Sequence, residues 1–131
     1  YYQVEIADTG NNLQRPALET LLEGADAAII PCVVNHKSAR GLERAIKAVE
    51  RVPRLRGRAI LVVSHDGGPE DAEFAHMLTS TLGRHFTAKA IVEMPFDPAI
   101  RADGELSYGA LQPATRLAMR SIARHVVESF N

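Results

Sequence analysis

The chain has 131 residues, 46% of them apolar, and a net charge of −1. This length suffices for one domain with a real core and is too short for two. Near-neutral charge gives no global pull toward nucleic acid or a membrane surface, and the absence of Trp among few aromatics argues against a base-stacking platform.

The only cysteine, Cys32, excludes an internal disulfide and a cysteine-cluster metal site. It closes an apolar run, where a small buried thiol is expected, and a reducing compartment fits it. No stretch reads as a signal peptide, and no apolar run approaches the roughly 20 residues needed to span a bilayer. The chain does not open on Met, so an excerpt or a processed product of something longer is expected.

Residues 4–7 (V-E-I-A) read as a first strand ending in Asp8, followed by the Thr-Gly-Asn-Asn turn. A short helix is predicted over residues 13–23, with Leu18, Leu21 and Leu22 on one side and Gly24 as its C-cap. Residues 27–34 (A-A-I-I-P-C-V-V) form a continuous apolar run, which suits a strand buried on both faces. Pro31 should end its hydrogen-bonding register.

Ser38 is the expected N-cap of a helix running to Val52, with Leu42, Ile46 and Val49 as its apolar stripe. Residues 59–64 (A-I-L-V-V-S) give the next strand. Gly68-Pro69-Glu70-Asp71 then opens a helix whose apolar positions are Phe74, Met77, Leu78 and Leu82. Residues 90–94 give the last strand, and residues 95–112 are expected to be a long loop. Pro113 starts a final helix with Met119, Ile122, Ala123, Val126 and Phe130 on its buried face.

Apolar strands alternating with helices imply an α/β fold with a mostly parallel sheet flanked by helices, in three layers. Ligands of such folds sit beyond the carboxyl ends of the strands. Those ends carry residues 8–12, 33–38, 64–68 and 95–97, all polar or rich in Gly and Pro.

Asp8 at a strand end can cap its own turn, or it can hold Mg²⁺ directly or through water. Ser64-His65-Asp66 brings together the three residue types of a hydrolytic triad. Consecutive residues of an extended segment point to alternate sides, however, and there is no G-x-S-x-G elbow. A loop contacting a ligand through its backbone is the better reading, with Gly67 and Gly68 permitting close approach.

No two of the five histidines make an H-x-x-H or H-x₃-H pair, so His76 and His85 read as solvated helix surface. Arg40, Arg44, Lys47 and Arg51 share one helix face. That face is either a solvated surface with ion pairs to Glu43 and Glu50, or a contact for a phosphate backbone. Arg116, Arg120 and Arg124 form a second basic row.

Five segments together, D-T-G-N-N, A-D-A-A-I-I-P, A-I-L-V-V-S-H-D, E-M-P-F-D-P-A-I and G-E-L-S-Y-G-A-L-Q-P-A-T-R-L-A, span nearly the whole chain. In this order they resemble the C-terminal half of the ParA/MinD family of deviant-Walker P-loop ATPases, and within it the MinD-like proteins of actinobacteria. The resemblance implies a cytoplasmic, homodimeric ATP switch that positions cargo, plasmids or chromosomal loci, with ATP and Mg²⁺ as cofactors.

It implies that Asp8 takes the Walker B position near Mg²⁺ and that Ser64 stands where relatives often carry an adenine-binding Asn. Pro95, Phe96 and Asp97 would border adenine and ribose, largely through their backbone. The glycine-rich phosphate loop with its lysines is missing, so no ATP hydrolysis is expected from this chain alone. In the family fold the phosphate-loop strand lies between the Asp8 strand and the strand over residues 27–34. Its absence should leave a slot, to be filled by an upstream polypeptide, by closing up of the strands, or by a second copy.

A reading of another class is a non-catalytic α/β domain that binds a protein partner or a DNA backbone through Arg40, Arg44, Lys47 and Arg51.

Overall fold

The computed structural model describes residues 4–10, 16–34, 36–69, 71–85, 88–101 and 104–130. Three strands, β1 (Ala28–Val33), β2 (Ala59–Ser64) and β3 (Ala90–Met94), form one sheet in the order β1-β2-β3. Both pairings are parallel, with Ile30 beside Leu61 and Leu61 beside Ile91. The fold is therefore α/β, an all-parallel sheet alternating with helices.

Helix α1 (Pro16–Glu23) precedes β1, α2 (His36–Glu50) joins β1 to β2, and α3 (Asp71–His85) joins β2 to β3. The short α4 (Pro98–Arg101) and the long α5 (Pro113–Glu128) follow β3.

Side-chain alternation along each strand divides the core in two. Ala28, Ile30 and Cys32 of β1 and Ala59, Leu61 and Val63 of β2 point to one face. There they pack with Leu42, Ile46 and Val49 of α2 and Phe74, Ala75 and Leu78 of α3. Ile60 and Val62 of β2 and Val92 and Met94 of β3 point to the other face, against Ala118, Met119, Ile122 and Val126 of α5. The middle strand is covered on both sides, and Ile60, Leu61 and Val63 are fully buried. Each such side chain contributes on the order of 1.5–3 kcal/mol of hydrophobic stabilisation.

Helix α5 is anchored at its C-terminal end. The Lys89 ammonium donates to His125 O at 2.8 Å and to Ser129 Oγ at 3.0 Å, and the Arg58 guanidinium donates to Ser129 O at 3.3 Å. Cations at a helix C-terminus satisfy carbonyls that lack an intrahelical partner and oppose the negative end of the helix dipole.

Several expectations need correction. Residues 4–7 pair with none of the three strands of the described residues and lie outside the sheet, with Val4 50% and Ile6 86% exposed, so their alternating pattern finds no core to bury its apolar side. β1 is buried on one face only, because it is an edge strand and α5 covers just the β2–β3 side of the second face. Pro31 stays in register beside Val62. Ala28 N donates to Arg58 O just before β2 and Val34 N to Ser64 O, so alternation turns the N of Pro31 toward the open edge, where a missing N–H costs no ladder bond.

Helix α2 begins at His36, which puts Ser38 inside it. Gly24 follows α1 without a positive φ. Met77 and Ala123 are exposed, and Thr115 and Ala118 take the deepest positions of α5. Residues 95–112 are not one loop, since α4 and a 3₁₀ turn (Tyr108–Ala110) form within them.

Candidate functional site

The carboxyl ends of β2 and β3 release two loops, residues 64–68 and 95–97, that lie against each other. His65 N donates to Met94 O at 2.9 Å, which extends the parallel pairing one step past β2. The chain then turns at Gly67, whose φ of +80° is a left-handed conformation that L side chains rarely adopt. Gly67 N donates to Asp71 Oδ2 at 2.7 Å, so the first residue of α3 closes the turn. A Cβ on Gly67 would sit 3.0 Å from Cγ and Cδ2 of Phe96. Gly67 is thus in close contact with Phe96 of the neighbouring loop.

Asp97 is the hub of the second loop. Its carboxylate accepts from Ala99 N (3.0 Å), Gln112 N (2.8 Å) and Thr115 Oγ1 (2.8 Å). The side chain is buried, at 3% exposure, and joins the end of β3, the start of α4 and the start of α5. The Gln112 amide holds the carboxyl below its ordinary value of 3.8; desolvation opposes this, and Thr115 and Ala99 reinforce it. Both carboxylate oxygens are thereby engaged inside the protein, while the neighbouring Phe96 is 40% exposed.

Ser64, His65 and Asp66 form no triad. The His65 imidazole lies between two carboxylates, with Nδ1 3.6 Å from Asp71 Oδ2 and Nε2 3.7 Å from Glu93 Oε1. With Ala72, His76 and Ile91, His65 and Glu93 line an open cleft of about 580 Å³ between α3 and β3. Register assigns Ser64 to the face opposite Val63, so Ser64 and His65 diverge.

Asp8 lies on no strand. It is exposed, and its Oδ1 accepts from Gly10 N at 2.9 Å, closing a local turn at Gly10, where φ is +66°. Residues 11 and 12 of the adjoining loop lie outside the described residues. Among the described residues no group of three His, Cys, Asp or Glu side chains is arranged to hold a metal ion.

On the basic face of α2, Arg44 and Arg51 are exposed and Lys47 pairs with Glu43 at 3.3 Å, while the Arg40 side chain lies outside the described ones. Arg54 is paired with Asp26, and Arg56 donates to Glu50 O. On α5, Arg116 lies 6.0 Å from the centre of the Tyr108 ring, Arg120 is exposed, and Arg124 approaches Glu128. Cys32 is buried and its thiol is pushed up by desolvation. Among the described residues no helix is long and apolar enough to cross a membrane.

Residue-by-residue reading missed Asp71, Glu93, Gln112 and Thr115. Asp97 before Pro98 does carry a local signal, an acceptor directly ahead of a proline at the start of a helix. Its bond to Thr115 joins distant segments and leaves no mark in any window of sequence.

Compared with known proteins, the chain matches no family model, no curated protein and no solved structure.

Proposed function

We propose that this chain is the C-terminal portion of a nucleotide-binding α/β domain of ParA/MinD-like type, an ATP-dependent dimerising switch. It would contribute the adenine side of the site and depend on an upstream strand and loop for the phosphates. The observation that carries this reading is the free edge of β1. The family arrangement has its phosphate-loop strand beside this strand, and among the described residues the sheet stops at β1 with its second face uncovered at Ile29, which is 47% exposed.

Support also comes from the rim. The loop over residues 64–68 and the loop over residues 95–97 meet through Gly67 and Phe96 at the carboxyl ends of parallel strands, where such folds bind ligands. In this reading Ser64 and the backbone of Pro95, Phe96 and Asp97 border the base. Asp97 acts by holding that loop through Gln112 and Thr115.

Catalysis in P-loop enzymes is mainly positioning and charge stabilisation of phosphates. The present chain, lacking the phosphate loop, is expected to be inactive alone.

The test is a thermal-shift titration of ATP·Mg²⁺ against this chain and against a polypeptide extended upstream by a G-x-x-x-x-G-K-[ST]-containing segment from the same reading frame. A ligand at about a hundred times its Kd stabilises by roughly 2.7 kcal/mol, a readily measured rise in Tm. A rise in the longer polypeptide alone supports the reading. Its absence there, or a frame that encodes no such segment, overturns it.

A further inference from the structure

The sheet has a second open edge, along β3, and it is built differently from that of β1. His65 N donates to Met94 O, so Ala90, Val92 and Met94 turn their backbone toward β2. By alternation, the amides and carbonyls of Ile91 and Glu93 face away from β2. No strand among the described residues pairs with them. The β1 edge is blunted by Pro31, whereas Ala90–Met94 holds no proline, so both outward amides of β3 can donate.

Beside this edge lies a groove. Register places the Ile91 and Glu93 side chains on the side of Leu61 and Val63, the side that α2 and α3 cover. That cover stops short of β3, where Ile91 is 40% exposed. The open cleft of about 580 Å³ lies here, lined by Ile91 and Glu93 of β3, by Ala72 and His76, one turn apart on α3, and by His65. Its carboxylates are Glu93, which is exposed, and Asp71 behind it, each within 3.7 Å of one ring nitrogen of His65.

We infer that the β3 edge binds an extended peptide by strand addition, and that this peptide carries an apolar residue and a Lys or Arg two positions apart. Strand addition takes its backbone bonds from any sequence, and pockets for alternate side chains supply the selection. Side chains of the added strand that point into the cleft recur every second residue, the spacing of Ile91 and Glu93. The one beside Ile91 meets an apolar side chain, and the one beside Glu93 meets a carboxylate. Opposite charges side by side on neighbouring strands stabilise, and like charges destabilise.

The same rule disfavours a second copy of this chain as the occupant. Pairing two β3 edges would bring two acidic clefts to one seam, whereas a basic peptide neutralises the one. The inference does not rest on the proposed function, since β3 is the strand farthest from the β1 edge.

Amide hydrogen exchange and NMR titration test it in the unaltered chain. The probe is the end-blocked heptapeptide Thr-Arg-Thr-Val-Thr-Arg-Thr. It reads the same in both directions, so with Val beside Ile91 an Arg lies beside Glu93 whichever way the peptide runs. The control has Glu in both Arg places. Without peptide, the Ile91 and Glu93 amides exchange fast, and those of Val92 and Met94 slowly. At millimolar concentration the Arg peptide slows Ile91 and Glu93, and it binds roughly fivefold more tightly than the Glu peptide. In Glu93→Gln most of that preference is lost.

Slow exchange at Ile91 and Glu93 without peptide overturns the inference, because the edge is then already covered, by a second copy or by the chain itself. So does an Arg peptide that leaves these amides fast, or equal binding of the two peptides. A preference unchanged in Glu93→Gln overturns it too. Should that variant fail to fold, the two peptides compared on the unaltered chain still decide.

Discussion

Gly67 meets the ring of Phe96 so closely that an added Cβ would lie 3.0 Å from two ring carbons, and it does so at a φ of +80°. The left-handed backbone favours glycine there, and an added methyl would in addition have to push the Phe96 ring aside by a few tenths of an ångström. The contact holds together the loops that leave β2 and β3, which makes it the joint of the proposed base-binding rim.

Gly67→Ala is expected to destabilise the domain by about 1–3 kcal/mol, since a left-handed L-residue alone costs roughly 1–2 kcal/mol. Urea unfolding measures it. Removing the ring in Phe96→Ala should lower the cost of Gly67→Ala to the backbone part, so the double variant is less destabilised than the sum of the singles. Strict additivity would mean that the ring contact contributes nothing.

Asp97 makes stability depend on pH. Its carboxyl is depressed below 3.8 by the Gln112 amide, with help from Thr115 and Ala99. A group depressed in the folded state stabilises fully above its unfolded pKa and loses that contribution as pH falls through its folded pKa. Asp97→Asn should therefore melt at a lower temperature than the parent at pH 7. The gap should narrow as the pH is lowered below 3.8. Melting curves between neutral pH and strong acid check this, and a gap that stays constant or widens in acid contradicts it.

Lys89 ties the end of α5 to the start of β3 through His125 O and Ser129 Oγ. Lys89→Met keeps most of the apolar stem and removes both bonds, so a loss of about 1–3 kcal/mol is expected. Exchange of the amides in the last turn of α5 should accelerate before that of β2. A variant as stable as the parent would show that solvent replaces both bonds without cost.

The sheet was legible because its information is local. A-I-L-V-V-S is too short and too β-branched for a helix, and β2 runs over those residues, Ala59–Ser64. The stripe of Leu42, Ile46 and Val49 is buried as its spacing implied. The misreadings concern which segments become neighbours. Residues 4–7 have the pattern of a strand, yet among the described residues they pair with none. Residues 27–34 are apolar throughout, yet β1 is an edge with one face open, which composition does not reveal.

The site divides in the same way. The bend at residues 64–68 was visible in its glycines, but its partners Phe96, Asp71 and Met94 come from other elements. The local turn that Asp8 closes with Gly10 was one of the two readings its sequence allowed.

The central proposal is an ATP-dependent dimer whose adenine side lies in this chain. Sedimentation velocity of the upstream-extended polypeptide, run with ATP·Mg²⁺ and with ADP·Mg²⁺, tests it most directly. We expect a dimer with ATP and a monomer with ADP, and no nucleotide effect on the chain of residues 1–131. An extended polypeptide whose association state is the same with ATP, with ADP and with no nucleotide would contradict it.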